Sequence, residues 1–186
     1  MQKNWKIVLA TVAATFTMAI CAAAWPPQQE KKSVQTKSVA TFSTEMERLK
    51  FYLGEWDYTE TYPKGAVNTG VYTSKLGPGG MSLINTFHSH GPVGDFEGML
   101  VITWDPNEKI YKEYVFNGVF PGAIVETGQF EGDDLVFRGE VSMAGTAVKL
   151  RNTTRVTGGG KLISEQFSSA NGAPEKVFVH VEATKR

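Results

Sequence analysis

Residues 95–117 read DFEGMLVITWDPNEKIYKEYVFN, and this stretch decides the fold. Two runs rich in Val, Ile, Leu, Phe, Tyr and Trp flank the polar sequence DPNE at residues 105–108. Aromatic and β-branched residues favour strands, whereas Asp, Pro and Asn favour turns. The stretch therefore predicts two antiparallel strands, at residues 95–104 and 109–117, joined by a tight turn.

The same pattern continues outward in both directions, with apolar runs and turn residues alternating along the chain. The predicted strands lie near residues 55–62, 69–76, 81–90, 95–104, 109–117, 123–130, 134–141, 146–156, 161–168 and 175–184. Such short connections pair neighbouring strands antiparallel, and closure into a barrel removes the unpaired edges of a long sheet. We therefore predict an all-β fold over residues 44–186, an antiparallel up-and-down β-barrel of about ten strands.

A short N-terminal helix is predicted before the first strand. Thr44 and Glu47 have the spacing of a capping box, and Met46 and Leu49 recur at helical spacing. Gly54 is placed to end the helix. We expect this helix to cap one end of the barrel.

The turns fall into two kinds. Tight polar turns are predicted at residues 77–80, 105–108, 131–134 and 158–160, and longer connections with apolar tips at residues 62–68, 90–95, 117–122, around 143 and 168–174. Successive connections of an up-and-down barrel alternate between its two ends, so each kind belongs to one end. This predicts a closed end and an open mouth for a ligand. Ordinary loop variation is the alternative.

The chain begins with the layout of a Sec-type signal peptide, predicted over residues 1–24. Lys3 and Lys6 precede an apolar run at residues 7–20, and three alanines at residues 22–24 supply a cleavage site. This predicts a periplasmic or secreted bacterial protein. A retained membrane anchor and lipoprotein processing at Cys21 are the alternatives. Residues 25–43 are too poor in large apolar groups to order themselves and are predicted to be a flexible leader.

Composition predicts a single globular domain with a real core. Hydrophobic residues make up 41% of the chain, and 19 basic residues balance 19 acidic ones. Because no excess of positive charge exists to bind a polyanion, we expect neither a nucleic-acid partner nor a membrane partner after signal cleavage.

Several motifs resemble those of a known bacterial family. They are Leu49, Leu53-Gly54-Glu55-Trp56-Asp57, Phe96-Glu97-Gly98, Trp104-Asp105-Pro106 and the late strand from Arg151 to Arg155. Over residues 45–184 they resemble the secreted domain-of-unknown-function 1579 family. The resemblance implies a lipocalin-like (calycin) β-barrel and no established activity.

The Gly54-x-Trp56 motif also resembles the opening signature of lipocalins and of the haem-binding nitrobindins. The further glycines of the nitrobindin pattern are absent, since Tyr58 and Glu60 follow Trp56. No cofactor is predicted on this basis. Haem with His180 as its axial ligand, by analogy with nitrobindins, is the alternative.

Candidate ligand-binding residues follow from the alternation of side chains along strands. The more apolar face of each strand is predicted to point inward, and buried amides on that face need a hydrogen-bond partner that a ligand or a water could supply. The candidates in the interior and at the mouth are Trp56, Tyr58, Asn85, Phe87, Trp104, Phe120, Asn152 and Gln166.

His88 and His90 have the spacing that places two imidazoles on one face of a strand, as a metal site requires. They share that face with Ser82 and Thr86, so we expect the pair to face solvent near the mouth. No metal site is predicted, and these two residues are the candidates if one exists.

No motif identifies a reaction. The chain has no G-x-S-x-G nucleophile elbow, and Glu97, Glu113, Glu126 and Glu165 are predicted to be scattered acids. We therefore expect a barrel that binds a small, largely apolar molecule. One alternative is an enzyme acting on such a ligand through an inward cluster such as Glu126 and Arg151. Another is a structural or protein-interaction module with a filled core.

Overall fold

The structure, a computed structural model, describes residues 44–186. The predicted signal peptide and leader lie outside the described residues. Residues 44–186 form a closed antiparallel up-and-down barrel, which confirms the predicted fold. Its strands are β1 Gly54–Thr61, β2 Val67–Leu76, β3 Ser82–His90, β4 Phe96–Asp105, β5 Ile110–Asn117, β6 Phe120–Glu131, β7 Asp134–Met143, β8 Thr146–Gly158, β9 Lys161–Ala170 and β10 Lys176–Lys185.

Each strand pairs with its neighbours in sequence, and β1 pairs with β10 to close the wall. In this seam Trp56 lies opposite Lys185. Just beyond it, the backbone N–H of Arg186 donates to the Glu55 carbonyl over 3.0 Å, and its guanidinium Nε donates to Asp57 over 3.0 Å. The barrel wall therefore has no free strand edge within the described residues.

The N-terminal helix is shorter than its predicted span. The helix α1 covers Thr44–Glu47 and is followed by a 3-10 turn at Lys50–Tyr52. Gly54 does not cap a helix; it is the first residue of β1, with φ of +115°, a conformation that glycine adopts without steric cost.

The helix α1 and the 3-10 turn seal the end of the barrel where the tight turns lie. The side chains of Met46 and Leu49 are fully buried among residues of four strands. The Tyr111 hydroxyl donates to the Glu45 carbonyl over 2.8 Å, and the Arg48 guanidinium carbon lies 3.8 Å from the centre of the Phe130 ring. The core at this end comprises Met46, Leu49, Leu83, Ile102, Tyr111, Leu135 and Phe137.

Alternation along the predicted strands 81–90 and 175–184 places Met81 and Val177 on the apolar, inward face, and both predictions are wrong. Met81 is 65% exposed because it belongs to the turn before β3, so the alternation of that strand does not extend to it. Val177 is 41% exposed, and the pairing of β9 with β10 shifts register between Val177 and Val179. A bulge of this kind reverses the face on which a side chain lies.

In residues 44–186 no helix has the length and apolar character needed to span a bilayer.

Candidate ligand-binding site

The barrel encloses a cavity of about 740 Å³. Its lining begins at Tyr52 and Leu83, beside the helix end. It reaches Val119 in the connection between β5 and β6, Pro121 at the start of β6 and Met143 at the end of β7. Val119 is 74% exposed, so the cavity meets solvent at that end. This volume lies within the roughly 300–1,000 Å³ typical of small-molecule sites. The interior is therefore not a filled core.

Glycines in the wall make room for the rings that line the cavity. Tyr58 lies directly across from Gly70, and Phe87 lies directly across from Gly98. A Cβ atom on Gly70 would lie 2.3 Å from the Tyr58 ring, and one on Gly98 would lie 2.4 Å from the Phe87 ring. Each ring thus lies against its neighbouring strand instead of projecting across the barrel.

The cavity brings together six of the eight candidate residues. The lining includes Tyr58, Asn85, Phe87, Phe120, Asn152 and Gln166. Trp56 and Trp104 are not among the described residues that line it. Both point inward, but they lie at the helix end of their strands, where side chains fill the barrel. Trp56 stacks on Tyr72, and Trp104 packs edge-on against Tyr111.

Two buried acids form a pair on the wall of the cavity. Glu113 on β5 lies directly opposite Glu126 on β6, and their side chains are 7% and 1% exposed. The two carboxyl groups are close enough for one of them, when protonated, to donate to the other, which leaves the pair with one proton and a single negative charge. Burial raises the pKa of both groups, and the charge of Glu126 raises the pKa of Glu113 further.

The neighbouring strands hold Glu126 in place. Gly139 on β7 lies opposite Glu126, and a Cβ atom there would lie 2.8 Å from the Glu126 Cγ. Since Gly139 has no side chain, Glu126 can lean across β7 toward β8. There the Asn152 amide Nδ2 donates to Glu126 Oε2 over 2.5 Å. The backbone therefore leaves room for this acid and supplies one of its hydrogen bonds.

A second polar network lies nearer the mouth. The Ser89 and Tyr62 hydroxyls donate to Glu60 Oε2 over 2.8 and 2.9 Å. The fully buried Asn68 donates to the Gly94 carbonyl over 3.1 Å and so ties down the connection between β3 and β4. Glu60 is thereby a fixed acid on the cavity wall.

The three histidines lie outside the cavity lining. His88 and His90 are exposed, and the His90 Nδ1 atom lies 2.5 Å from Asp95 Oδ1. His180, the candidate axial haem ligand, lies between Glu165 and Glu182 at 3.6 and 3.5 Å. Residues 44–186 contain no group of three or more His, Cys, Asp or Glu side chains arranged to hold a metal ion.

The inward pair of Glu126 and Arg151 that an enzyme was expected to use does not form. Adjacent residues of a strand point to opposite faces, and Asn152, not Arg151, lies on the inward face of β8. The Arg151 guanidinium Nε donates to Glu175 over 2.9 Å, and its carbon lies 3.7 Å from the centre of the Phe167 ring.

Glu113 and Glu126, which we predicted from the sequence to be scattered acids, lie together in the structure and are functional candidates. A signal for them was present, because Glu113 shares its face of β5 with Tyr111, which is buried, and with Val115, which lines the cavity. Likewise, Glu126 shares a face of β6 with Ile124, another lining residue. Alternation predicts which face an acid occupies, but the contact between the two strands requires their register.

No protein-family model and no curated protein matches the chain. Among solved structures, it is similar to the crystal structure of Rv2717c from M. tuberculosis, with a TM-score of 0.58 at 13% identity, covering 78% of this chain and 99% of that one. It also matches the S-type phycobiliprotein lyase CPES from Guillardia theta, with a TM-score of 0.44 at 11% identity, covering 75% of this chain and 88% of that one. The likeness to Rv2717c shows the fold, which is a lipocalin-like β-barrel.

Proposed function

We propose that this protein binds a small, largely apolar molecule inside the barrel and takes it up through the mouth. The observation that carries the proposal is the cavity of about 740 Å³, which the helix seals at one end and apolar residues surround at the other. Burial of an apolar ligand in such a space removes apolar surface from water, at about 25 cal/mol for each Å².

The polar groups in the cavity support binding of a specific molecule. Most of the lining is apolar or aromatic, and a few amides and acids are set into it, among them Asn85, Asn152 and Gln166. Ligand sites commonly have this composition, because apolar walls supply affinity and a few polar groups fix orientation.

Membership of the domain-of-unknown-function 1579 family and export from a bacterial cytoplasm belong to the same proposal. The Gly54-Glu55-Trp56 and Trp104-Asp105-Pro106 motifs support the family, and the charged, apolar and alanine-rich segments of residues 1–24 support export. We propose no nucleic-acid partner, and no membrane partner once the signal is removed.

Native mass spectrometry of the protein purified from its own host tests this function. We expect a reproducible mass increment, which organic extraction releases as one class of apolar molecule. Protein without an increment in repeated preparations, which also fails to take up a fluorescent apolar probe, would contradict the proposal.

Two variants place the ligand within the barrel. Phe120→Glu puts a charge on the cavity lining at the mouth and should abolish the increment. Phe116→Glu is the matched control, since Phe116 is 42% exposed and lies outside the lining. Equal loss in both variants would mean that the ligand binds elsewhere.

The buried acid pair favours a second candidate, an enzyme that acts on the bound molecule. Two carboxyl groups that share a proton can supply both an acid and a base. If this candidate holds, the molecule extracted from Glu126→Gln protein is chemically changed when it is incubated with the wild-type protein and stays intact with Glu126→Gln. An unchanged molecule in both incubations leaves carriage as the function.

A further inference from the structure

The charged residues that line the cavity are all acidic. Among the described residues, the lining contains Glu60, Glu113 and Glu126 but no lysine, arginine or histidine. An anionic ligand would therefore lose its hydration and meet only like charge, which disfavours it strongly.

The acid pair lies at the deep end of the cavity. Glu113 is two residues along β5 from Tyr111, and Tyr111 belongs to the core that closes the barrel. Tyr52, which lines the cavity beside that core, has its pKa raised by burial and by the charge of Glu113. If the polar group of a ligand binds at this pair, the apolar part of the ligand extends toward Phe120 and Met143 at the mouth.

Buried hydrogen-bond acceptors at this depth have no donor. The side-chain oxygen of Asn85 is buried and accepts no hydrogen bond from the described residues. Glu126 Oε1 is also buried, and no N–H or hydroxyl group of the described residues donates to it. A buried acceptor without a donor destabilises the protein, so a ligand with N–H donors that reaches such an oxygen is favoured.

We propose that the ligand is an apolar amine whose protonated nitrogen binds at the Glu113–Glu126 pair. With one shared proton, the pair carries a single negative charge, which one ammonium group neutralises. The ammonium group also supplies N–H donors to the Glu126 carboxylate, and aromatic rings of the lining such as Tyr52 attract a cation. This inference rests on the proposed function and names the chemical class of its ligand.

Three probes with the same alkyl chain and different head groups test the inference. Decylamine, decanol and decanoate are titrated against the full chain loaded with a fluorescent apolar probe. We expect decylamine to bind about tenfold more tightly than decanol, the gain of one charge-assisted hydrogen bond, and decanoate to bind more weakly than either. Equal affinity for decylamine and decanol, or preference for decanoate, would overturn the inference.

Neutral variants of the pair show whether its charge causes the preference. Glu113→Gln and Glu126→Gln keep the size of the side chains and should each reduce the preference for decylamine over decanol by about fivefold or more. Glu140→Gln removes the same charge from an exposed position and should leave the preference unchanged. If both pair variants keep the full preference, the amine binds elsewhere and the inference fails.

The pH dependence provides a further readout. The other titratable groups that line the cavity are Tyr52, Tyr58, Glu60, Tyr62 and Tyr72, and burial raises the pKa of all four tyrosines, so these phenols stay neutral. Decylamine affinity should rise with pH as the pair loses its first proton and gains its single negative charge, whereas decanol affinity should not. A decylamine affinity that does not rise with pH in wild type would contradict the inference.

The outcomes separate the inference from the function on which it rests. Tight binding of decanol without preference for decylamine retains apolar carriage and rejects the amine. Failure of all three alkyl probes to compete, with no mass increment from the host, rejects both.

Discussion

Glu113 and Glu126 are acids whose chemistry the fold changes. Each has its pKa raised from the ordinary value of 4.5, so the folded protein holds protons that the unfolded chain releases. Stability therefore falls as the pH rises from about 4.5 toward the raised values, and it does not recover at higher pH. The ion pairs of three aspartates have the opposite effect on stability, because they lower the pKa of the carboxyl group. These residues are Asp57, Asp105 and Asp134, and the stability that they contribute is lost as the pH falls below 3.8.

We predict that Glu113→Gln stabilises the folded protein at pH 7 by about 1–3 kcal/mol, because the variant neither buries a charge nor takes up a proton when it folds. The gain should disappear near pH 4, where the carboxyl group is already neutral. Urea unfolding at both pH values measures it. Glu140→Gln, an exposed change of the same kind, should shift stability by no more than about 0.5 kcal/mol. A wild-type protein whose stability rises between pH 5 and 7 would contradict this assignment.

At the scale of elements, the strands were predictable because their pattern is local. Each of the ten predicted strands overlaps an observed one, and the turns at residues 77–80 and 158–160 separate strands as expected. The alternation of inward and outward side chains predicted the wrong face at two residues. Met81 lies in a turn, and Val177 lies beside a bulge.

The acid pair and the mouth network could not be predicted in the same way. The contacts of Glu113 with Glu126 and of Glu60 with Ser89 join residues of different strands. They depend on the register in which the strands pair, which the local sequence pattern does not give. Trp104 was predicted to bind the ligand because it points inward. Alternation along β4 gives the face on which a side chain lies but not its depth in the barrel, and Trp104 packs against the core at the closed end.

The helix end acts as a plug, and its contribution can be measured. Leu49→Ala removes a fully buried side chain from the closed-end core and should cost about 2–5 kcal/mol of unfolding free energy. Lys50→Ala, one residue along and exposed, should change stability by less than about 0.5 kcal/mol. Chemical denaturation of both variants checks the prediction. A loss below about 1 kcal/mol for Leu49→Ala would mean that the helix is not part of the cooperative fold.

At the scale of the whole molecule, the seam between β1 and β10 decides closure. Thr59 lies opposite Glu182 in this seam, whereas Glu140 lies opposite Lys149 within a local hairpin. A disulfide across the seam would close a loop of about 120 residues, and one across the hairpin a loop of about 10, so the chain-entropy model gives gains of about 5 and 3 kcal/mol.

We therefore predict that the seam disulfide, made by Thr59→Cys and Glu182→Cys in a Cys21→Ser background, stabilises the barrel more than the hairpin disulfide made by Glu140→Cys and Lys149→Cys. Unfolding of the oxidised and reduced forms of each variant measures the two gains. Equal gains would show that β1 and β10 stay associated in the unfolded chain.

The seam also determines the order in which the wall can assemble. Within the described residues, every other pairing joins consecutive strands through a short connection, whereas Asp57 and Arg186 are separated by 129 residues. Closing so long a loop costs more chain entropy and takes longer than forming a hairpin. We therefore expect the seam to be the last pairing to form, and until then β1 and β10 are open edges that a second chain can join. That interval is when newly made copies are most exposed to aggregation, and its length is set by how quickly the last strand reaches the first.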